Sequence, residues 1–134
     1  MPRRHEEHEA VPAETEAIAQ RVIDACIAVH RELGSGYLEM IYEKALAIEL
    51  EREGISFMRQ APVVVKYRGF DVGHGYLDFL VESCVVLELK AVDEFHPKHM
   101  AQVLSYLKAT DLRLGLLINF QARILKEGLR RVIL

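Results

Sequence analysis

The sequence predicts an α/β fold in which helices flank a mixed sheet. Two stretches with helical spacing of apolar residues come first, three short β-branched stretches follow, and another helical stretch precedes one more strand. The first three strands are close enough in sequence to form an antiparallel meander, and the late helix allows a crossover to a parallel fourth strand. The predicted order is therefore α-α-β-β-β-α-β, and the sequence leaves an extra C-terminal strand open.

The first two predicted elements are helices. Residues 14–33 repeat apolar side chains at helical spacing, and Gly34 supplies a C-terminal stop. A short Gly-Ser-Gly link at residues 34–36 leads to a second helix over residues 37–53, which ends at Gly54.

The pattern of the sequence changes from helical to strand-like after Gly54. Strands are predicted for "VVVKYRG" at 63–69, "YLDFLV" at 76–81 and "CVVLELK" at 84–90, with a glycine-containing turn at 68–76. Residues 96–110 return to helical spacing, with Pro97 at the first helical position. Residues 112–120 form an apolar strand buried on both faces, and the tail forms a last strand or a hairpin around Glu127 and Gly128.

Length and composition restrict the class of protein. The 134 residues suit one compact domain, which we assign to residues 14–134 after a polar N-terminal tail at residues 1–13. No apolar run approaches the roughly 20 residues that cross a bilayer, and the N-terminus lacks an apolar signal core. We therefore expect a cytoplasmic protein with no membrane partner.

Charge is distributed unevenly along the chain. Residues 1–54 contain 6 Lys or Arg and 12 Asp or Glu, whereas residues 55–134 contain 11 and 8. The mildly basic second part permits contact with a polyanion but does not require it, because dedicated nonspecific nucleic-acid binders are usually far more basic.

Three charged residues interrupt the apolar hairpin of residues 76–90. Asp78, Glu88 and Lys90 would be costly in a core unless they are paired or bound to a metal. A two-residue turn at Glu82 and Ser83 would send Glu88 to the face opposite Asp78, whereas a three-residue loop at 82–84 sets Asp78 directly against Glu88. The apolar pattern fits either register.

In the three-residue register the charged residues make a chemically useful set. Two adjacent carboxylates repel each other, and a divalent cation removes that penalty; oxygen ligands suit Mg²⁺ or Mn²⁺. A lysine beside them could hold or deprotonate an attacking water, which is the layout for hydrolysing a phosphodiester. The alternative is a solvated sheet face on which Lys90 makes a surface salt bridge worth ~0–1 kcal/mol.

Several short strings occur together in one order. They are "VHRELGSG" at 29–36, "GYLEMIY" at 36–42, "YLDFLV", "LELKAV" and "QVLSYLKAT". Over residues 15–120 the chain resembles the GxxExxY family of the PD-(D/E)XK nuclease-like superfamily. It departs from the pattern at Leu77, which stands where the superfamily name has proline, and at Ser35, which replaces the proline of a Gly-Pro-Gly link.

The resemblance implies a restriction-endonuclease-like core and a metal-dependent nuclease or nuclease-like protein. It implies that Asp78 and Glu88 bind Mg²⁺ or Mn²⁺, that Glu39 is a further metal or water ligand, and that Lys90 completes the catalytic set. Gln102 and Tyr106 match the helix motif that borders the site. Nucleic acid is the expected partner, with DNA favoured over RNA. Separately, Lys98 near a helix N-terminus is a candidate phosphate contact.

Alternatives stay open at this point. The chain could be a noncatalytic nucleic-acid-binding or regulatory module on the same fold, or an assembly protein whose "RRVIL" segment adds an edge strand to a homodimer or to an unidentified protein partner. Individual residues also have simpler interpretations: Glu39 as the N3 residue of a helix cap, Tyr42 as core packing with its hydroxyl bonded, His30 as a satisfied histidine, and His5 with His8 as having no role.

Overall fold

Two helices precede the sheet in the computed structural model, which describes residues 10–134; the predictions for residues 1–9, including His5 and His8, lie outside it. Helix α1 (Ala13–Leu33) ends at Gly34, whose N–H bonds to the His30 carbonyl. Helix α2 (Glu39–Arg52) begins two residues later than predicted, with Leu38 as its N-cap. Glu39 is therefore the first helical residue, and its interpretation as the N3 residue of a cap is wrong.

Within residues 10–134 the sheet has five strands, and their spatial order follows their order in sequence. The first three strands are antiparallel, the third and fourth are parallel across the crossover helix, and the fourth and fifth are antiparallel. The predicted mixed sheet and its crossover are confirmed, as is the extra C-terminal strand. The elements are β1 (Phe57–Tyr67), β2 (Phe70–Val81), β3 (Val85–Lys90), α3 (Pro97–Thr110), β4 (Leu114–Asn119) and β5 (Leu129–Ile133), the last preceded by a 3-10 turn (Leu125–Gly128).

The hairpin of β1 and β2 is much longer than predicted. Only Arg68 and Gly69, both at positive φ, form its turn, so the predicted turn at residues 68–76 is wrong. Phe70 and Val72 near the tip are exposed, and polar or glycine residues alternate with them without a buried face. This part of the hairpin therefore lacks the one-sided apolar alternation by which a strand is recognised.

A three-residue loop at residues 82–84 joins β2 to β3. Val81 pairs with Val85 and Phe79 with Leu87, and Glu82 and Ser83 adopt the left-handed conformation. Continued by one position, this register sets Asp78 opposite Glu88. The three-residue alternative is thus confirmed.

The core lies on both faces of the sheet. Helices α1 and α2 cover one face, and α3 packs with a second cluster on the other face. Leu77, two residues before Phe79 in β2, lies in this second cluster with Ala61 and Val63. Strand β4 is buried at every position, as predicted for residues 112–120. No helix within residues 10–134 is long and apolar enough to span a membrane.

Replacing Gly128 tests the packing at the junction that follows β4. A Cβ atom added there would lie 2.4 Å from the Asn119 carbonyl oxygen and 2.9 Å from the Ala122 Cβ. We expect Gly128→Ala to lower the free energy of unfolding by about 1–3 kcal/mol, because the close neighbour is backbone and must shift. Urea unfolding measures the loss. Gly73→Ala is the matched control, since nothing lies within 4 Å of its added Cβ; equal stability of the two variants would contradict the account.

Candidate active site

The backbone pairing of three strands is interrupted where Asp78 lies in β2. Arg59 pairs with Phe79 and Ala61 with Leu77, but the intervening Gln60 and Asp78 are not paired. Gln60 adopts a positive φ of 50°, which is uncommon for a residue other than glycine. On the other side of β2, pairing with β3 ends at Phe79. Strain and lost ladder bonds of this kind cluster at functional sites.

Two carboxylates replace the missing backbone acceptors. The Asp78 N–H donates to Glu88 Oε2 at 2.8 Å, and the Leu89 N–H donates to Asp78 Oδ2 at 2.8 Å. Each side chain is thus fixed against the backbone of the neighbouring strand, and each retains a second carboxylate oxygen. The reciprocal bonds hold Asp78 and Glu88 side by side.

The four residues predicted to act in catalysis interact electrostatically. Glu39, at the start of α2, is affected by the charges of Asp78 and Lys90. Glu88 is affected by Asp78, Lys90 and Glu39. Hydrogen bonds bring the two hairpin carboxylates together, and the charges of Glu39 and of the half-buried Lys90 act on them.

Burial and mutual repulsion raise the pKa values of all three carboxyl groups. For Glu88, which is 5% exposed, burial first and the Asp78 charge second raise the pKa from 4.5 to about 8. Burial is also the largest cause of the raised pKa of Asp78 and of Glu39. Lys90 opposes the shift in each case without cancelling it. Burial is thus the main cause of the raised pKa values, and repulsion from neighbouring carboxylates adds to it.

Sequence reasoning missed a buried polar group beside these residues. Glu43, one helical turn after Glu39, accepts bonds from Arg59 Nη2 at 3.0 Å and from Gln60 Nε2 at 3.3 Å. After burial, the Glu43 charge raises the pKa of Asp78, and the Gln60 side chain lowers it. The i, i+4 spacing of Glu39 and Glu43 was a signal that could have found Glu43, whereas nothing local marks Arg59 or Gln60.

The ion pair between Arg59 and Glu43 allows a stability test. Their side chains are 36% and 6% exposed. We expect Arg59→Met to lower the free energy of unfolding by about 1–3 kcal/mol, less than for a fully buried pair, because Glu43 loses its main cationic partner. The double variant Arg59→Met/Glu43→Gln should recover part of that loss. Chemical denaturation of the four proteins of this cycle measures the coupling, and strictly additive losses would contradict it.

Of the supporting residues on α3, only Tyr106 has a contact that connects it to the site. A Cβ atom added at Gly75 would lie 2.8 Å from the Tyr106 hydroxyl, so the ring lies against β2. Burial first, and then the charges of Glu88 and Asp78, raise the pKa of Tyr106. Gln102 and Lys98 are exposed and make no hydrogen bond or ion pair with the carboxylates within residues 10–134. Their predicted roles stay predictions.

Two histidines at the start of α3 cap the helix. His96 accepts from the Lys98 N–H, and His99 Nδ1 accepts from the His96 N–H. Burial first, and the Lys90 charge second, lower the pKa of His99. The Lys90 charge thus acts on His99 as well as on the three carboxyl groups.

Tyr42 fixes the link that leads to Glu39. Its ring is fully buried and stacks on Phe120 with 4.6 Å between centroids. Its hydroxyl donates to the Gly34 carbonyl at 2.6 Å and accepts from the Tyr37 N–H at 3.2 Å. The interpretation of Tyr42 as core packing with a bonded hydroxyl is confirmed, and the residue acts on the site by positioning α2.

The carboxylates fit a hard divalent cation by their chemistry. Within the described chain, no three His, Cys, Asp or Glu side chains are grouped as a preformed metal cage. Mg²⁺ does not need one, since it usually binds one or two carboxylates and keeps several waters or substrate oxygens. Asp78 and Glu88 supply two such groups, and a cation would relieve the repulsion that raises their pKa values. Glu39 is not grouped with them in this way, although the Asp78 charge acts on its carboxyl group.

The chain is similar to known proteins in sequence and in fold. A sequence model of the PD-(D/E)XK nuclease superfamily matches residues 16–132. The crystal structure of an alkaline exonuclease from Laribacter hongkongensis superposes with a TM-score of 0.49 and 14% sequence identity, over 85% of this chain and 68% of the exonuclease chain. No curated protein sequence is significantly similar to the chain.

Proposed function

This chain belongs to the PD-(D/E)XK nuclease superfamily, and we propose that it hydrolyses phosphodiester bonds in nucleic acid with Mg²⁺ or Mn²⁺. The fold is the restriction-endonuclease-like fold of that superfamily. The observation that carries the proposal is the pair of carboxylates, Asp78 and Glu88, held side by side by reciprocal bonds to backbone N–H groups. Burial first, and the charge of a neighbouring carboxylate after it, raise the pKa values of both groups, and a divalent cation would offset that repulsion.

Within the superfamily, we assign the chain to the GxxExxY family on the strength of "GYLEMIY" and the helix string "QVLSYLKAT". Residues 14–134 form the proposed nuclease domain. A cytoplasmic location, a homodimer and an unidentified protein partner are further expectations that follow from the sequence.

Each residue of the proposed site has a distinct role. Asp78 and Glu88 hold the cation, which when bound would stabilise charge on the phosphate oxygens. Glu39 orients a water through its carboxylate. The Lys90 ammonium, on the same side of β3 as Glu88, holds the attacking water and offsets negative charge that develops on the phosphorus-bound oxygens. Tyr106 shields the carboxylates on the α3 side.

A cleavage assay tests the proposal. Wild-type protein and the Asp78→Asn variant are incubated with single- and double-stranded DNA and RNA in Mg²⁺, in Mn²⁺ and in EDTA. We expect cleavage of DNA by the wild type only, and only with a divalent cation; cleavage of RNA instead would retain the nuclease and change the substrate. Activity that is equal in EDTA, or equal in Asp78→Asn, would refute the proposed site.

A noncatalytic nucleic-acid-binding module is the second candidate. It is favoured by the charge balance of residues 55–134, where 11 Lys or Arg exceed 8 Asp or Glu and permit contact with a polyanion. Binding of an oligonucleotide without turnover, and unchanged by Asp78→Asn, would support this candidate over the first.

A further inference from the structure

A basic cavity lies between the end of α1 and the loop that follows β4. Its volume is about 740 Å³. Arg31, Arg123 and Lys126 line it, and within the described residues no Asp or Glu does. The rest of the wall includes the aliphatic side chains of Ile27, Ile124 and Leu125. None of these residues belongs to the carboxylate site.

Hydrogen bonds hold the two walls of this cavity in place. His30 Nε2 lies 2.8 Å from the Ala122 carbonyl oxygen, which fixes the end of α1 against the loop. The Gly36 N–H donates to Gln121 Oε1 at 3.2 Å, which fixes the link before α2 against the same loop. His30 is thereby satisfied, as one interpretation of the sequence expected. The cavity is a preformed feature of the fold.

The net potential of the cavity is positive. The C-terminal end of α1 contributes the equivalent of roughly half a negative charge, which three cationic side chains exceed. Arg123 shares its charge with Glu127 across 3.4 Å, but both side chains are more than half exposed and such pairs are weak. Within residues 10–134, Arg31 and Lys126 form no ion pair. Two cations are thus available to an anionic ligand.

We propose that this cavity binds a nucleotide, with its phosphate on Arg31 and Lys126 and its base against the aliphatic wall. Arginine suits phosphate through its paired N–H donors, and about 740 Å³ lies within the ordinary range of ligand cavities. As a subsite for the cleaved strand, the inference rests on the proposed function. Ser35 lines the cavity four residues before Glu39, and four residues span at most ~14 Å. A strand that occupies the cavity would therefore pass close to the carboxylates.

Oligonucleotide binding tests the inference without requiring cleavage. The anisotropy of a labelled single-stranded DNA is measured in EDTA, at several salt concentrations, for the wild type and for Arg31→Glu/Lys126→Glu. The matched control is Arg52→Glu/Lys108→Glu, which makes the same change of net charge at exposed positions outside the cavity. Titration with AMP separates a free nucleotide from a nucleic-acid strand as the source of the phosphate.

We expect the cavity variant to bind the oligonucleotide at least tenfold more weakly than the control variant does. Its salt dependence should fall by about 0.7 in the log-log slope, for one phosphate of a single strand that is no longer neutralised. Tight AMP binding that the cavity variant loses would support a free nucleotide as the ligand. Equal weakening in the two variants, or no binding of either ligand by the wild type, would overturn the inference.

The same samples separate this inference from the proposed function. Mn²⁺ titration of the cavity variant should give wild-type affinity, which shows that the fold and the carboxylate site are intact. If the wild type binds DNA through the cavity but never cleaves it, the proposed function fails and the subsite stands. If it cleaves and both variants bind alike, the subsite fails and the function stands.

Discussion

Replacing Glu88 with glutamine is expected to abolish most cleavage and, at the same time, to stabilise the metal-free protein at pH 8. The amide keeps an oxygen that can accept the Asp78 N–H bond, so the local geometry is retained. Activity should fall about 10²–10³-fold, since a cation ligand that contributes several kcal/mol of charge stabilisation is lost. Initial rates with saturating Mn²⁺ measure this loss.

The stability gain follows from the raised pKa of Glu88, from 4.5 to about 8. The folded state keeps a proton that the unfolded state releases, so the free energy of unfolding falls as pH rises from about 4.5 to 8. Glu88→Gln should remove that dependence: its advantage is near zero at pH 4 and about 2–5 kcal/mol at pH 8. Urea unfolding in EDTA at both pH values measures the difference. A variant less stable than wild type at pH 8 would contradict the account.

Replacing Lys90 with methionine should separate catalysis from cation binding. The change keeps an unbranched side chain and removes the ammonium that holds the water and offsets charge, so kcat should fall about 10²–10³-fold. Mn²⁺ affinity should rise, because Lys90 lies beside the same three carboxylates and its charge opposes a second cation there.

For Lys90→Met, calorimetric titration measures the Mn²⁺ affinity and single-turnover cleavage measures the rate of the reaction. The control is Lys66→Met, which lies on the exposed part of β1, paired only with Asp71, and should change neither quantity. Parallel loss of Mn²⁺ affinity and kcat in Lys90→Met would show that the lysine supports the geometry of the site and does not act in the reaction.

The sequence was sufficient to predict the order of elements, and it offered the observed pairing of the two hairpin carboxylates as one of two registers. Phe79, Val81, Val85 and Leu87 share one buried face in the structure, and their i, i+2 spacing within each strand is visible in the sequence. The apolar residues could not decide between the two registers, because they fitted both. It was the assumption that Asp78 and Glu88 act together that selected the observed loop.

What the sequence could not predict depends on contacts between distant elements. Glu43 is buried because Arg59 and Gln60 of β1 reach it, and the positive φ of Gln60 arises from the interrupted ladder beside Asp78. The solvent-exposed end of the β1 and β2 hairpin has no buried face to produce a pattern. "RRVIL" completes the chain's own sheet as part of β5, although its apolar character equally suited pairing with a partner.

Calorimetric titration of Mn²⁺ into the metal-free wild type and the Asp78→Asn/Glu88→Gln variant is the most direct test of the proposed site. In the wild type we predict saturable binding with proton release near neutral pH, since a cation displaces protons from carboxyl groups of raised pKa. Buffers of different ionisation enthalpy reveal that release. The double variant should show neither Mn²⁺ binding nor proton release. A cooperative thermal transition shows that this variant is folded. Equal binding by both proteins, or none by the wild type, would contradict the claim that Asp78 and Glu88 form a metal site.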